Sequence, residues 1–219
     1  MYHPGIGFRL APLPDFSTLC VRKQLLKLPI WRDFLRLSTT LHELDDIQAI
    51  GASGIDRIGA SQHKATKTKY TFKAVKTTLV VDCKTGTILD IHCSMKQARD
   101  SEVGWQLLRN NLDRLDTVTA DEGYDWELLR RKLQAEGVTP VIKYREFDWQ
   151  GTAHNALIDD QTYHQRSNVE STFFALRQRY GSRLQARTWF GQFREMVLRC
   201  AVRDVELAVK RSEPVISSG

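Results

Sequence analysis

The stretch of residues 70–93 constrains the fold more than any other part of the sequence. Residues 70–82 alternate between apolar and polar side chains and are rich in β-branched residues, and residues 87–93 resume the strand pattern after the turn residues 84–86. Alternation is typical of a strand with one buried face, and two such strands joined by a short turn predict an antiparallel hairpin. The chain must therefore build a sheet that contains this hairpin.

Segments with strand and helix patterns surround the hairpin. Short apolar segments predict three further strands, at residues 47–55, 115–120 and 138–142. Helical spacing of apolar residues predicts helices at 100–112, 124–136, 166–180 and 189–211. Residues 144–162 show neither pattern and are predicted to be irregular. This order predicts an α/β fold, a mixed five-stranded sheet with helices packed on its faces.

The two ends of the chain differ from this middle. Residues 1–17 combine several prolines and glycines and predict an irregular arm, and helical spacing then predicts one or two short helices up to about residue 44. We therefore divide the chain into an N-terminal arm with helices (1–45), a folded domain (46–211) and a flexible tail (212–219).

Composition limits the class of protein. Apolar residues make up 42% of the 219 residues and aromatic residues 9%, which excludes a wholly disordered or collagen-like chain. Apolar runs are only a few residues long, so no membrane span is predicted, and the N-terminus lacks the apolar core of a signal peptide. Four scattered cysteines without a C-x-x-C pair predict free thiols in a reducing compartment. A cytoplasmic protein is expected.

Positive charge is concentrated in two segments. The net charge is +6, and residues 57–99 hold nine Lys and Arg against two Asp and Glu, while residues 163–211 hold ten against four. Basic blocks favour a polyanionic partner, most commonly nucleic acid, although a solvated surface has the same composition. One group of lysines predicts either a ridge that contacts DNA phosphates or a charged edge strand protected against aggregation: Lys64, Lys67, Lys69, Lys73 and Lys76.

Two carboxylates are candidates for chemistry. Asp121 directly follows the predicted strand 115–120, and Gly123 lets the chain turn sharply there. Glu170 lies on the predicted helix 166–180. Catalytic groups of α/β sheets gather at the carboxyl ends of strands, and carboxylates suit Mg²⁺, which completes its shell with water and substrate phosphates. By position alone, however, an N-cap role explains Asp121 more simply.

The helix that carries Glu170 has two predicted faces. Tyr163, Arg166, Glu170 and Arg177 fall within one stripe, beside an apolar stripe that would be buried. A surface ion pair between Arg166 and Glu170 would explain the same spacing, at a gain of only about 0.3–0.5 kcal/mol. If the carboxylates of Asp121 and Glu170 meet, they form part of a site for divalent ions that act on a phosphodiester.

These residues resemble the signature of the DDE transposases of prokaryotic insertion sequences. The last catalytic helix of that family carries the pattern Y-(2)-R-(3)-E-(6)-K, matched here by Tyr163, Arg166 and Glu170, with Arg177 in the lysine position. The segment TADEGYD is similar to the family's second-acid block and places that acid at Asp121. The resemblance covers about residues 14–210 and implies a ribonuclease-H-like fold.

One position departs from the family pattern. The family's first Asp lies on the first strand, in a block that reads I-D-A-S/T-G, whereas this chain reads IGASG over residues 50–54. Gly51 therefore leaves the first-acid position vacant. Asp56 is a candidate substitute, but an offset of five residues points to the opposite face of a strand unless a bulge intervenes.

The resemblance implies a transposase that cleaves the 3′ ends of an insertion element and joins them to target DNA, using Mg²⁺ or Mn²⁺. Asp121 and Glu170 would be the catalytic, metal-binding residues. Arg166, Arg177 and the lysines would contact DNA, and Tyr163 would either contact DNA or pack against the start of the helix. Residues 46–211 would be the catalytic domain, and residues 1–45 the remnant of a region that recognises element ends.

The implied partners are double-stranded DNA, from both element ends and target, and a second copy of the chain in a synaptic complex at the nucleoid. The vacant position at Gly51 favours an alternative. In that alternative the chain is a catalytically inactive derivative that binds only DNA or an intact transposase.

Overall fold

The computed structural model describes residues 15–57, 74–95, 98–146 and 149–212, with residue 150 described by its backbone alone. The strands are β1 (Ile47–Arg57), β2 (Ala74–Asp82), β3 (Ile88–Ser94), β4 (Thr117–Ala120), β5 (Thr139–Ile142) and β6 (Arg183–Leu184). The helices are α1 (Phe16–Leu25), α2 (Leu28–Thr39), α3 (Asp100–Arg109), α4 (Glu127–Ala135), α5 (Trp149–Asn155), α6 (Asp160–His164), α7 (Ser167–Tyr180) and α8 (Trp189–Ser212).

The strands form one mixed sheet in the order β3-β2-β1-β4-β5, with β6 paired to the end of β1. The antiparallel pairing of β2 with β3 confirms the predicted hairpin, although residues 70–73 of its first strand lie outside the described residues. β1 is antiparallel to β2 and parallel to β4, which is in turn parallel to β5. The carboxyl ends of β1 and β4 therefore open at the same edge of the sheet, where α/β proteins place their ligand sites.

Side chains alternate along β1, so the strand contributes to two core layers on opposite faces of the sheet. Ala49 and Ile55 join the layer formed with α2, α7 and α8, which also contains Phe193. Ile50 joins the layer formed with α3 and α4, which also contains Leu133. Fully burying a side chain of this size is worth roughly 1.5–3 kcal/mol, so packing fixes β1 firmly between the two layers.

Helix α2 belongs to this packed body although the sequence places it in the N-terminal arm. Trp31 and Leu35 are buried in the layer that contains α8. The guanidinium of Arg32 lies over the ring of Phe193, and Ser38 Oγ lies 3.2 Å from a carboxylate oxygen of Asp204. The later contact on α2 is also the later one on α8, so the two helices run side by side in the same direction.

Three parts of the fold differ from the sequence prediction. The sheet has a sixth strand, β6, whose two residues are too few to show a period. Residues 144–162 contain α5 and α6, of seven and five residues, in place of an irregular segment. The helix predicted at 124–136 is shorter, because a 3₁₀ turn (Glu122–Tyr124) precedes α4.

A capping signal could have revealed one of the missed helices. The side chain of Asp159 accepts a hydrogen bond from the backbone N–H of Thr162, 2.9 Å away, and so caps the start of α6. The predicted end of α7 at Gly181 is confirmed, since this glycine has a φ of +85° that other residues rarely adopt. Among the described helices none is long and apolar enough to cross a membrane.

Candidate functional site

A cavity of about 140 Å³ opens beneath α7, beside the middle of β1 and at the carboxyl end of β4. It is lined by Ile50, Gly51, Ala52, Ser53, Asp121, Arg166, Val169, Glu170, Phe173 and Arg177. The parallel register of β1 and β4 pairs Ile50 with Ala120, so Gly51 and Asp121 follow at the same level of the sheet. The fold thus brings both candidate carboxylates, the vacant first-acid position and two of the predicted DNA-contacting arginines to one cavity.

Asp121 lines the cavity and also caps a turn. Its Oδ1 accepts a hydrogen bond from the backbone N–H of Gly123, 2.9 Å away, at the start of the 3₁₀ turn. A Cβ at position 123 would lie 2.8 Å from that same oxygen, so glycine permits the close approach. The capping role and the site position are therefore compatible, since the cap engages one of the two carboxylate oxygens.

Glu170 is exposed and lies one helical turn after Arg166. Arg166 Nη1 donates to Glu170 Oε1 over 3.1 Å, and the side chain of Glu170 retains 71% of its exposure. Arg166 Nε is buried and has no hydrogen-bond partner among the described residues. This pair is the helix-surface ion pair that the spacing allows, and in addition both members line the cavity.

Arg177 is bound to β1. Its Nη2 donates to the hydroxyl of Ser53 and to the carbonyl oxygen of Gly54, the latter over 3.1 Å. The guanidinium also lies 5.8 Å from the centre of the Phe173 ring. Arg177 therefore holds α7 against the end of β1. Sequence reasoning did not anticipate Ser53 as its partner, because no local pattern connects residues that lie 124 positions apart.

Tyr163 lies on α6 rather than on the helix of Glu170, and it is buried. Lys143 Nζ lies 4.2 Å from the centre of its ring and the Arg166 guanidinium 5.2 Å. Its carbonyl oxygen accepts a hydrogen bond from Thr119 Oγ1 over 3.3 Å. Because the ring is buried and does not line the cavity, these contacts favour the packing alternative, and contact between Tyr163 and DNA stays a prediction.

Gly51 has little space for a side chain. An ideal Cβ at this position would lie 2.9 Å from Val169 Cγ1 and 3.3 Å from Val169 Cβ. Both distances are tighter than ordinary van der Waals contact. An aspartate at position 51 therefore requires Val169 to move by a few tenths of an ångström.

Asp56 does not replace the missing acid. It is exposed and is not among the residues that line the cavity. The pairing of β1 with β2 runs without a register shift from Gln48 to Asp56, so the bulge that the substitution requires is absent. Asp56 therefore stays on the face of β1 opposite to Gly51.

The lysine ridge is only partly described. Lys64, Lys67, Lys69 and Lys73 lie outside the described residues. Lys76 lies on β2, where its Nζ is 2.7 Å from Asp100 Oδ1 and donates to the carbonyl oxygen of Ala98 over 3.3 Å. The one described member of the group is thus engaged within the protein.

The donor set suits one divalent ion better than two. Within the described part of the chain no group of three or more His, Cys, Asp or Glu side chains could hold a metal ion. The cavity nevertheless offers the carboxylates of Asp121 and Glu170, and Mg²⁺ is commonly held by one or two carboxylates together with water and substrate phosphates. Two ions would need more oxygen ligands than one ion does. The position that would supply a third carboxylate is occupied by Gly51, which has no side-chain ligand.

The fold is similar to that of a solved transposase structure. A piggyBac transposase, solved as a synaptic complex with hairpin DNA, matches with a TM-score of 0.54 and 12% identity, over 93% of this chain and 57% of that chain. The catalytic core domain of BIV integrase matches with a TM-score of 0.42 and 9% identity, over 76% and 95% respectively. The chain thus spans little more than half the length of the piggyBac chain, and the likeness shows a ribonuclease-H-like fold.

Sequence comparison identifies the family. No curated protein matches the chain. Residues 42–204, well over half of the sequence, match the family described as Transposase DDE domain. The predicted family is thereby confirmed: this chain belongs to the DDE transposases.

Proposed function

We propose that the chain acts on the DNA of an insertion element as a transposase, by cleavage at the 3′ ends and strand transfer to target DNA. One observation carries this proposal: Asp121 and Glu170, from distant parts of the sequence, line one cavity at the carboxyl end of β4, beside the middle of β1. Membership of the DDE family supports the reaction class. DDE transposases use divalent metal ions, and we propose Mg²⁺ or Mn²⁺ here.

Asp121 and Glu170 are the residues that would hold the ion, since both line the cavity. A bound divalent ion would favour deprotonation of the attacking water or 3′-hydroxyl and stabilise the leaving oxygen. Arg166 is positioned to exchange the bond from its Nη1 to Glu170 for one with a DNA phosphate, since both side chains line the cavity. Arg177 acts indirectly, by fixing the end of β1 against α7.

The proposed partners are double-stranded DNA of element ends and target, and a second copy of the chain in a synaptic complex. The two basic segments support DNA binding because each would contribute contacts to phosphates. Lys64, Lys67, Lys69 and Lys73 remain proposed DNA contacts. We place this activity in the cytoplasm, at the nucleoid.

A second function is favoured by the vacant position at Gly51. With only two carboxylates on the cavity, the chain would bind DNA, or pair with an intact transposase, without cutting DNA. The packing of Val169 against Gly51 supports this alternative, because the space of a first-acid side chain is partly occupied.

A nicking assay distinguishes the two functions. The purified chain is incubated with element-end DNA and Mg²⁺ or Mn²⁺, and DNA binding is measured in parallel by a mobility shift. Under the leading proposal the wild type nicks DNA, and Glu170→Gln abolishes nicking while DNA binding persists. Nicking that survives Glu170→Gln would overturn the assignment of the two carboxylates.

The variant Gly51→Asp tests the alternative. If the wild type binds DNA without cutting it, and Gly51→Asp cuts it, then the second function is correct and the chain is an inactive derivative. Because an aspartate there crowds Val169, the double variant Gly51→Asp with Val169→Ala is assayed beside it. The variant Asp56→Asn is the matched control, since Asp56 lies outside the cavity and its loss should leave every readout unchanged.

A further inference from the structure

Helices α2 and α8 present an apolar face to solvent on the side that is not buried against the sheet. On α2 this face consists of Ile30, Phe34 and Leu37, which are 46%, 51% and 64% exposed, and Leu41 continues it in the turn after the helix. On α8 it consists of Leu198, Val202, Val205 and Val209. We call these eight residues the α2–α8 face. Between the two helices lies a groove of about 580 Å³.

The two stripes share one spacing. Successive members are four, three and four residues apart on α2 and again on α8. This is the spacing of the a and d positions of a heptad, in which side chains of one helix insert between those of another. The side chains of an extended peptide that face one surface recur every second residue, which does not match this spacing. The geometry of the α2–α8 face therefore fits a helical partner.

The exposed apolar surface of the face is large for a single chain. Seven of its eight members are 38–64% exposed, which together is on the order of several hundred Å², whereas monomeric proteins rarely expose apolar patches of more than a few hundred Å² and a stable interface buries about 800 Å² per partner. The groove is bordered by charges of both signs, Arg179, Glu206 and Lys210. This mixture does not suit a polyanion such as DNA.

We propose that the α2–α8 face binds the same face of a second copy of this chain. Two parallel helices with identical stripe spacing form a self-complementary surface, as an interface around a twofold axis requires. The two copies would then build a four-helix bundle from α2 and α8 of each chain. This proposal rests on the proposed function, in which two copies of the chain act together. The observations that support it are independent of the cavity, because the groove and the cavity share no lining residue.

Sedimentation equilibrium of the full chain, without DNA or metal ion, tests the interface. The wild type should be a dimer, and Leu37→Glu should be a monomer with unchanged circular dichroism. Leu157→Glu is the matched control, because Leu157 is a leucine that is 86% exposed but lies away from the face. It should remain a dimer. A monomeric wild type, or a Leu37→Glu variant that remains dimeric, would overturn the proposal.

A cross-linking experiment supplies a second measurement that does not depend on a destabilising charge. Under mild oxidation Leu37→Cys should yield a disulfide-linked dimer, and Leu157→Cys should not. Since neither experiment contains DNA, failure of the interface leaves the nicking proposal untouched. Conversely, a chain that dimerises through Leu37 but never nicks DNA would retain the interface and lose the activity.

Discussion

Carboxyl groups in the packed body of the molecule and at the rim of the cavity are held in opposite ways. Asp204, on α8, is fully buried; its Oδ1 accepts from Ile88 N over 3.0 Å, and its Oδ2 lies 3.2 Å from Ser38 Oγ. Burial raises its pKa to about 7. Glu170 keeps 71% of its side chain exposed, and its one hydrogen bond among the described residues is with Arg166 Nη1. The packed body of the molecule thus fixes the carboxyl group of Asp204, whose contribution to stability depends on pH. At the rim of the cavity, the carboxylate of Glu170 is free to change partners.

The same contrast appears along β1 itself. Ala49 and Ile50 are buried in the two core layers, whereas the middle of the strand, from Gly51 to Gly54, consists of small residues that Arg177 and Val169 contact. Substitutions in the body should therefore act on stability, and substitutions at the rim on function. The following predictions test that division.

The largest loss of stability is expected from Leu79→Ala. Leu79 is fully buried on β2, directly beside Gly51 in the strand register. Removing its side chain leaves a cavity in the core and should lower the free energy of unfolding by about 2–5 kcal/mol. Denaturant unfolding measures the change. Leu157→Ala is the control, and a similar loss from that exposed leucine would contradict the division between body and surface.

The pH dependence of stability should report Asp204. Its pKa is raised to about 7 in the folded chain, against 3.8 ordinarily, so the folded state binds the extra proton between these values. The contribution of Asp204 to the free energy of unfolding is therefore fully present below about pH 4 and is lost as the pH rises through 7, by up to roughly 4 kcal/mol.

Asp204→Asn should remove that dependence. The amide can still accept from Ile88 N, and it can donate to Ser38 Oγ, whose own hydroxyl proton is directed at Leu35 O over 2.7 Å. Plots of the free energy of unfolding against pH for the wild type and the variant should therefore diverge as the pH rises from about 4 to about 7, with the variant the more stable at high pH. Parallel curves would show that Asp204 is charged throughout.

The sequence predicts the body better than the rim. The hairpin, the end of α7 at Gly181 and the parallel strands follow from local periodicity and turn residues, which depend on near neighbours. That Asp121 and Glu170 line one cavity could be expected only from family resemblance, because the two lie on separate elements. The bonds from Arg177 to Ser53 and Gly54, and the burial of Tyr163, depend on tertiary packing that no local pattern encodes.

An intermediate loss of stability is expected from Gly51→Asp. The new Cβ lies 2.9 Å from Val169 Cγ1, and a β-branched side chain on a helix has little rotamer freedom, so the overpacking should cost about 1–3 kcal/mol. Val169→Ala removes the crowding atoms. A double-mutant cycle should therefore show favourable coupling between positions 51 and 169. Strictly additive effects would mean that Val169 shifts freely.

The smallest change in stability, and the largest change in function, is expected from Glu170→Gln. The variant loses one exposed ion pair with Arg166, which is worth about 0.3–0.5 kcal/mol, so its unfolding curve should nearly coincide with that of the wild type. Any metal-dependent nicking should nevertheless vanish, because an amide is a far weaker ligand for Mg²⁺ than a carboxylate. Arg166→Gln is the matched variant: it removes the same ion pair from the other side and should weaken DNA binding instead. If both variants lost only stability, this pair of residues would belong to the body of the molecule and not to its site.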